Sequence, residues 1–347
     1  MKRYQKPPEL YDGLRLHQNE NTGGCSPKVI EALARLRPDQ IGFYPPYTEA
    51  TRAVAEYLGA GTDAITLTNG LDEALMALCV AYLRPSAGDS PAEAIVPEPA
   101  FEIFRFDTEV AGGRLVQVMP RRDFSFPLPE VLAAITPRTR IVFLTNPNNP
   151  TGVATPLESI RAVAAAVPPE AVVLVDEAYA EFARASFIPE LAGFPNVIVG
   201  RTFSKAFGLA GLRIGCLVGA PDTVDPVRRA IPVYSVNIAA VAAIRAALQD
   251  LDHLRRYLRQ VEESKSLLYA ACERLGLEYV PSCSNFVLVC AGERTEALVK
   301  GAFDRGVYIR DRSTEPGCAG CIRIGAGIVE HTKRCITAME EALCSIG

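Results

Sequence analysis

Six short apolar runs recur along the middle of the chain, and they constrain its fold more than any other feature of the sequence. They read EAIVP (93–97), RLVQV (114–118), RIVFLT (140–145), AVVLVD (171–176), NVIVG (196–200) and IGCLVG (214–219). Apolar runs without alternation are typical of strands covered on both faces. Helical patterns such as LESIRAVAAAV (157–167) lie between several of them. The sequence therefore predicts an α/β fold with a mostly parallel, seven-stranded type of sheet flanked by helices.

The pattern changes near residue 239. Residues 239–276 form a long, helix-rich tract, followed by strand-like SNFVLVC (284–290), helical RTEALVKGAFDRG and strand-like CIRIGAG (321–327). The first 40 or so residues have no apolar core of their own. We therefore expect a large domain over 40–240 and a smaller α+β domain made of 1–39 and 241–347, with an N-terminal arm.

Composition excludes several classes of protein. The net charge of −4 over 347 residues and the lack of long like-charged runs argue against nucleic-acid binding. No apolar stretch approaches the roughly 18 residues of a spanning helix, and MKRYQKPPEL lacks a signal-peptide core, so we expect a cytoplasmic protein without a membrane span. The ten cysteines are expected to be reduced and mostly buried. Only three histidines occur, and CAGC (318–321) has no second CxxC, so no metal site is expected.

Three polar clusters follow three of the predicted strands. They are NPNNPTG (146–152), DEAY (176–179) and RTFSK (201–205). Any one alone could be a turn or a helix cap. Ligands of open α/β sheets bind beyond the carboxyl ends of the strands, so three clusters in order favour one shared site. A fourth stretch, TNGLDEALMALCVAYL (68–83), places Asn69 and Gly70 before a helix whose first N–H groups could bind an anion.

Lys205 is one of only seven lysines and lies in the small and apolar run RTFSKAFGLAGLRIG. A permanent cation would be costly there. An amine in a water-poor setting has a lowered pKa and becomes a nucleophile. Such a lysine can bond to an aldehyde cofactor. Pyridoxal phosphate would also need a carboxylate for its ring nitrogen, donors to its phenolic oxygen, a flat ring partner and a phosphate cup.

These motifs, in the order NPNNPTG, DEAY and SKAFGLAGLRIG, resemble those of the fold-type I pyridoxal-phosphate aminotransferases of class I/II. Within that group the chain most resembles the histidinol-phosphate aminotransferases. The resemblance runs from LHQNEN (16–21) to CIRIGAG (321–327) and implies the aspartate-aminotransferase type of α/β fold. One departure is NENTGG in place of the usual NENPYG, which removes a tyrosine that contacts the substrate's ring.

The resemblance implies a set of cofactor-binding residues. Lys205 matches the lysine that bonds to the cofactor and later moves a proton, and Asp176 matches the carboxylate that keeps the ring nitrogen protonated. Tyr179 and Asn149 match the partners of the phenolic oxygen. Phe101 falls where an aromatic residue, usually tyrosine, stacks on the ring. The implied phosphate cup comprises Asn69, Gly70, Leu71, Asp72, Thr202, Ser204 and Arg213.

The resemblance also implies substrate contacts and a dimer. Arg323 matches the arginine that binds the substrate carboxylate, and Arg310 matches one that binds the other anionic end. Tyr44 matches a tyrosine that reaches the cofactor phosphate of the neighbouring subunit, which implies a homodimer with shared active sites. The remaining substrate-binding candidates are Asn21, Tyr234 and Asn237.

The implied reaction is a two-step transamination. Glutamate gives its amino group to the cofactor, and an oxo acceptor, imidazole-acetol phosphate in the histidinol-phosphate family, then takes it; proton transfer of this kind requires no metal. Three alternatives stay open. An aromatic amino-acid aminotransferase would keep the cofactor residues and change the pocket. A threonine-phosphate decarboxylase would release carbon dioxide, and a non-catalytic binding module would keep the cofactor without turnover.

Overall fold

The structure, a computed structural model, describes residues 12–84 and 90–344. The segment MKRYQKPPEL, from which the sequence argument about a signal peptide was made, lies outside the described residues. The strands are β1 Leu14–Arg15, β2 Ile65–Thr68, β3 Glu93–Pro97, β4 Arg114–Val118, β5 Thr139–Thr145, β6 Val172–Asp176, β7 Val197–Thr202, β8 Gly215–Gly219, β9 Glu278–Val280, β10 Phe286–Cys290, β11 Val307–Tyr308, β12 Arg310–Asp311 and β13 Cys321–Gly325.

The helices alternate with the strands over much of the chain. They are α1 Pro27–Ala34, α2 Pro38–Gly42, α3 Thr48–Leu58, α4 Gly70–Leu83, α5 Glu102–Val110, α6 Leu128–Ala134, α7 Leu157–Ala166, α8 Ala180–Ala183, α9 Pro221–Ala230, α10 Ile238–Leu248, α11 Leu251–Arg274, α12 Thr295–Asp304 and α13 Val329–Cys344. Among the residues with described structure, no helix has the length and apolarity needed to cross a lipid bilayer.

A seven-stranded sheet with the order β2-β8-β7-β6-β5-β3-β4 forms the centre of the fold. The pairs from β7 through to β4 are parallel, and β8 runs antiparallel to both of its neighbours. The inner strands are buried over their length because both faces are covered, which explains their unbroken apolar runs. The predicted α/β fold with a mostly parallel sheet is confirmed.

A second, antiparallel sheet has the order β12-β13-β10-β9. Its covered face packs on α11, α12 and α13 through a separate apolar core that includes Val287, Val289, Ile322 and Ile324. The N-terminal segment joins this region, because β1 pairs in parallel with β11, Leu14 opposite Val307.

The proposed division into domains stays a prediction. Two helices assigned by it to the small domain, α1 and most of α10, pack with the large one. Helix α1 packs on α10, and α10 packs on α3. Val29 from α1 and Ile244 from α10 belong to the core of the seven-stranded sheet. Both helices bury their apolar faces against the large unit, so 27–34 and 241–248 belong with it by packing.

The carboxyl ends of β5, β6 and β7 are neighbours in the sheet. Thr145 lies opposite Asp176, and Asp176 lies opposite Gly200. The three polar clusters of the sequence therefore leave the sheet at one edge, as the strand-end rule predicts. This edge is where the candidate site lies.

Candidate active site

Lys205 follows β7 in a loop covered by the N-terminal segment. Its side chain is partly buried, and its Nζ donates to the carbonyl of Gln18 at 3.0 Å. Burial, followed by the positive charge of Arg323, lowers the pKa of the Lys205 amine to about 8. An appreciable fraction of the amine is therefore neutral near physiological pH, which is the form that acts as nucleophile or base.

Asp176 ends β6 and is buried. Its Oδ1 accepts from the backbone N–H of Ala178 at 2.9 Å. Burial raises the pKa of the Asp176 carboxyl to about 7, although the Ala178 bond acts in the opposite direction. A cationic partner would favour the ionised carboxylate, so Asp176 suits a ligand that carries a protonated nitrogen.

Tyr179 and Asn149 each form a side-chain hydrogen bond within the protein. The Tyr179 hydroxyl accepts from Asn19 Nδ2 at 3.0 Å, and its ring meets the edge of Phe286 at a centroid distance of 5.1 Å. The Asn149 side-chain oxygen accepts from Arg323 Nη1. Both residues are buried. Neighbouring residues thus fix both side chains before any ligand enters.

The residues predicted to form the phosphate cup, called the anion cup below, lie where β7, β8 and the start of α4 meet. Thr202 and Ser204 are buried, and the Ser204 N–H donates to Thr202 Oγ1 at 3.2 Å. Arg213 lies beside Gly70, the first residue of α4, and its Nη2 donates to Asp72 Oδ2 at 3.0 Å. A helix start with an arginine beside it is suited to phosphate.

Glycine at position 70 keeps this cup open. Gly70 has a φ of +76°, and a Cβ there would lie 2.4 Å from Arg213 Nη2. Any other residue would displace the guanidinium and adopt an unfavourable backbone conformation. The carboxylate of Asp72 is bonded to Arg213, and its predicted contact with the phosphate, through the helix start, stays a prediction.

Phe101 precedes α5 and is half-buried, edge-on to Phe104 at 6.0 Å. Its segment is tied to the NPNNPTG loop, because Asn148 Nδ2 donates to the Pro99 carbonyl at 3.0 Å. The structure thus places the predicted ring partner on a loop joined to the one that carries Asn149.

Arg323 is a buried cation on β13. Its Nη2 donates to the His17 carbonyl at 2.7 Å, and its guanidinium lies 5.4 Å from the centroid of Phe286. Burial lowers the pKa of Arg323, with the charge of Arg312 as the next cause. Arginine stays protonated in proteins, so the burial of this charge favours the binding of an anion beside it.

Arg310 lies directly opposite Arg323 across β12 and β13. Side chains of opposed residues share a face of the sheet, so both arginines belong to the same side. Arg310 is half-buried. Its charge also reaches His17, whose pKa is lowered to about 4 by burial and then by Arg310, Arg15 and Arg323.

Two predicted substrate contacts are already occupied by bonds within the protein. Asn21 Nδ2 donates to the Ala206 carbonyl at 3.0 Å, and Asn237 both caps α10 and donates to the Leu212 carbonyl at 3.2 Å. Asn21 thus attaches the N-terminal segment to the Lys205 loop, and Asn237 supports the backbone next to Arg213. Their roles as substrate contacts stay predictions.

The NENTGG departure has a structural counterpart. Gly23 stands at the position of the family's tyrosine, and a Cβ there would lie 3.0 Å from Ile328 Cγ2. The preceding Thr22 accepts from the Ile328 N–H through Oγ1 at 3.0 Å. The segment thus contacts Ile328, the residue before α13, and Gly23 itself is exposed.

Tyr44 and Tyr234 lie on the surface. Their rings stack at a centroid distance of 4.1 Å and an angle of 16°. Tyr44 is 74% exposed, and Phe43 and Val233 beside the pair are exposed to a similar degree. Exposed apolar side chains grouped in this way are typical of interaction surfaces. Both tyrosines therefore lie at the surface of this chain and not among its buried site residues.

Sequence reasoning missed several members of the site. His17, Gln18 and Asn19 supply a carbonyl to Arg323, a carbonyl to Lys205 and an amide to Tyr179. A further buried ion pair joins Arg312 to Glu315 next to Arg323. The one available signal was LHQNEN, a polar run close to the start of the chain. Within the described part of the chain, no cluster of side chains could hold a metal ion.

Comparison with known proteins agrees with this arrangement. The family model for aminotransferase class I and II matches residues 11–338. A histidinol-phosphate aminotransferase of Symbiobacterium thermophilum is 38% identical over 343 residues, covering 98% of this chain and 93% of the relative. One of Moorella thermoacetica is 36% identical over 346 residues, covering 98% and 88%.

Solved structures share the fold. Histidinol-phosphate aminotransferase of Sinorhizobium meliloti, in complex with pyridoxal-5′-phosphate, matches with a TM-score of 0.87 at 30% identity, covering 96% of this chain and 92% of that one. Aspartate aminotransferase of Thermus thermophilus, with maleate, matches with a TM-score of 0.80 at 23% identity, covering 95% and 92%. The chain belongs to the family of class I and II aminotransferases.

Proposed function

We propose that this aminotransferase uses pyridoxal phosphate to interconvert histidinol phosphate and 2-oxoglutarate with imidazole-acetol phosphate and glutamate. The observation that carries the proposal is the pair of arginines, Arg323 and Arg310, directly opposed across β12 and β13, with the charge of Arg323 acting on Lys205. Two cations on one side of a sheet suit substrates that bring a carboxylate or a phosphate. The names of the relatives at 34–38% identity support the same substrates.

The residues present fit pyridoxal phosphate. Arg323 Nε and Asn19 Oδ1 are buried polar atoms without hydrogen-bond partners among the described residues, which suits a polar ligand between them. Asp176 would hold the ring nitrogen, Tyr179 and Asn149 the phenolic oxygen, and Phe101 the ring face. Thr202, Ser204, Arg213 and the start of α4 would hold the phosphate.

The chain's own groups divide the chemistry. When bound, pyridoxal phosphate supplies an electron-withdrawing ring and a carbon that carries the amino group. Lys205 Nζ, with its lowered pKa, accepts a proton from the substrate's Cα and returns it. Asp176 keeps the ring nitrogen protonated, and Arg323 orients the substrate through its carboxylate.

The proposed substrate is tested by single half-reactions with a panel of amino donors and oxo acceptors, followed by the absorbance of the bound cofactor. We expect glutamate and histidinol phosphate to convert it, with imidazole-acetol phosphate preferred as acceptor. A preference for phenylpyruvate would reassign the enzyme to aromatic amino acids. Release of carbon dioxide from threonine phosphate would reassign it to decarboxylation.

Variants of Arg323 and Arg310 should impair different half-reactions. Arg323→Lys keeps the charge and loses the bidentate fork, so it should impair the glutamate half-reaction strongly. Arg310→Ala should impair the phosphorylated acceptor far more than phenylpyruvate. Loss of a charged hydrogen bond costs about 1.5–3 kcal/mol, or about 10- to 150-fold in kcat/KM.

Arg15→Ala is the matched control for the second variant, because Arg15 also contributes positive charge at His17 but is paired with Glu20 at 2.8 Å. Arg15→Ala should leave the ratio of kcat/KM for the phosphorylated acceptor to kcat/KM for phenylpyruvate unchanged. Equal losses in Arg310→Ala for phosphorylated and aromatic acceptors would contradict the division between the arginines.

We further propose a homodimer in which Tyr44 reaches the phosphate cup of the partner subunit, and a cytoplasmic location. The exposed stack of Tyr44 on Tyr234, with Phe43 and Val233 beside it, supports a covered surface. The side chain of neighbouring Tyr47, in contrast, bonds within its own chain, to the carbonyl and the N–H of Val236, each at 3.1 Å.

Hybrid dimers test this arrangement. Mixing Lys205→Ala with Tyr44→Phe should create one site with both residues intact and one with both altered. Steady-state activity should then exceed the average of the two parents. Tyr47→Phe mixed with Lys205→Ala is the control and should give the average. Average activity in the Tyr44 hybrid, with subunit exchange demonstrated, would place Tyr44 in a site built by one chain.

A further inference from the structure

Two cysteines face each other on the face of the small sheet opposite its helix-covered core. Cys290 is the last residue of β10 and Cys321 the first of β13, and they are directly opposed in the antiparallel register. Their sulfur atoms are 2.6 Å apart. Cys321 is buried and Cys290 partly exposed, so only one of the two is open to a reagent from solution.

The backbone at this point has the geometry of a cross-strand link. The next pair along, Ala291 and Gly320, is bonded across the strands, Ala291 N–H to the Gly320 carbonyl at 2.8 Å. Opposed pairs alternate along an antiparallel ladder, so Cys290 and Cys321 form a non-hydrogen-bonded pair, with Cα atoms about 4.5 Å apart. That lies within the range of about 4.4–6.8 Å seen in disulfides, and no backbone shift is required.

The pair lies on the same face of the sheet as Arg323. Residues two apart on a strand, and residues opposed across strands, share a face. Cys321 is two residues before Arg323, and Leu288, opposite Arg323, packs with Cys321 and Cys318 in one small cluster. The intervening Ile322 points to the helix-covered core instead. On this face of the sheet, the two cysteines are therefore the nearest neighbours of Arg323 along the strands.

We propose that Cys290 and Cys321 are a thiol pair that a small-molecule disulfide oxidises reversibly to a disulfide, a modification site beside Arg323. The Cys290 thiolate attacks one sulfur of the reagent and releases one thiol. Cys321 then attacks the mixed disulfide at Cys290 and releases the second. The two protein thiols lose two electrons and two protons, and the reagent becomes two thiols.

The order of attack follows from exposure and hydrogen bonding. Cys290 is reachable, whereas Cys321 is buried. The hydrogen bond with Cys321 lowers the pKa of the Cys290 thiol, which favours the nucleophilic thiolate there. The same hydrogen bond, followed by burial, raises the pKa of the Cys321 thiol, so the thiolate is favoured at Cys290.

The test uses the folded holoenzyme and 2-hydroxyethyl disulfide, an uncharged probe, at fixed ratios to its thiol. Remaining thiols are alkylated, and peptides are mapped by mass spectrometry. We expect one Cys290–Cys321 link, two thiols released per link, and reversal by excess thiol. Cys321→Ser should stop at a mixed disulfide on Cys290, and Cys290→Ser should form neither product at these positions.

Two exposed cysteines provide controls. Cys283→Ser and Cys344→Ser should both keep the link at unchanged yield, because neither side chain belongs to the pair. A link between Cys318 and Cys321 instead would overturn the assignment. So would a Cys290–Cys321 link that forms only after the chain has been unfolded in urea, or no link at any ratio of disulfide to thiol.

Discussion

Lys205→Ala should fold and still bind pyridoxal phosphate through the anion cup, but lose turnover. The variant removes both the nucleophile and the base that moves the proton at the substrate's Cα. General acid–base transfer alone contributes about 10²- to 10⁴-fold, so the loss in kcat should be at least of that order. Steady-state assays with glutamate, and the near-visible absorbance of the bound cofactor, measure the two effects.

Lys265→Met is the matched control for this variant. Lys265 is a buried lysine, and its Nζ, like that of Lys205, donates to a carbonyl, that of Ser282 at 2.8 Å. Its loss should lower thermal stability without removing turnover. Multiple turnovers by Lys205→Ala at a rate near that of the unaltered protein would rule out this lysine as the catalytic amine.

Asp176→Asn should bind the cofactor and react far more slowly. The amide keeps the shape of the side chain and can still accept from the Ala178 N–H, but it cannot hold a protonated ring nitrogen. Removal of one such electrostatic contact typically costs about 10²- to 10³-fold in kcat. Rates of the glutamate half-reaction measure the loss directly.

Asp107→Asn separates this effect from the general loss of a buried carboxyl. Asp107 is also buried, and burial raises its pKa to about 7, as it does for Asp176. It lies on α5 rather than at the strand ends, and the charge of Asp72 is the second cause of its raised pKa. Its variant should keep the rate. Unchanged rates in Asp176→Asn would show that another carboxylate serves the ring.

The strands were predictable where burial on both faces made the sequence unambiguous. β3 is buried and matches its predicted run residue for residue. β4 also matches its predicted run, although it is a partly exposed edge strand. β2 was not predicted, because ITLT is short and half polar and joins the sheet only through β8. The tract 239–276 is two helices, since Asp250 caps α11 by accepting from the His253 N–H and so begins a new helix.

The candidate site was predictable as far as it follows strand ends. Asp176, Thr202 and Lys205 all emerge at one edge because their strands are neighbours. The N-terminal segment that covers Lys205 could not be predicted. Lys205 bonds to the carbonyl of Gln18, 187 residues away, and no local sequence pattern indicates such a contact. The register that sets Arg310 opposite Arg323 likewise depends on the whole sheet.

The pairing of Leu14 with Val307 also determines which parts of the structure can form first while the chain is being synthesised. At about 5 to 20 residues per second, the roughly 300 residues between the two take about 15 to 60 s to be synthesised. All seven strands of the large sheet are complete well before Val307 exists. The anion cup and Asp176 can therefore form early on the ribosome. The carbonyls of His17 and Gln18 reach their places over Arg323 and Lys205 only when the last part of the chain has emerged.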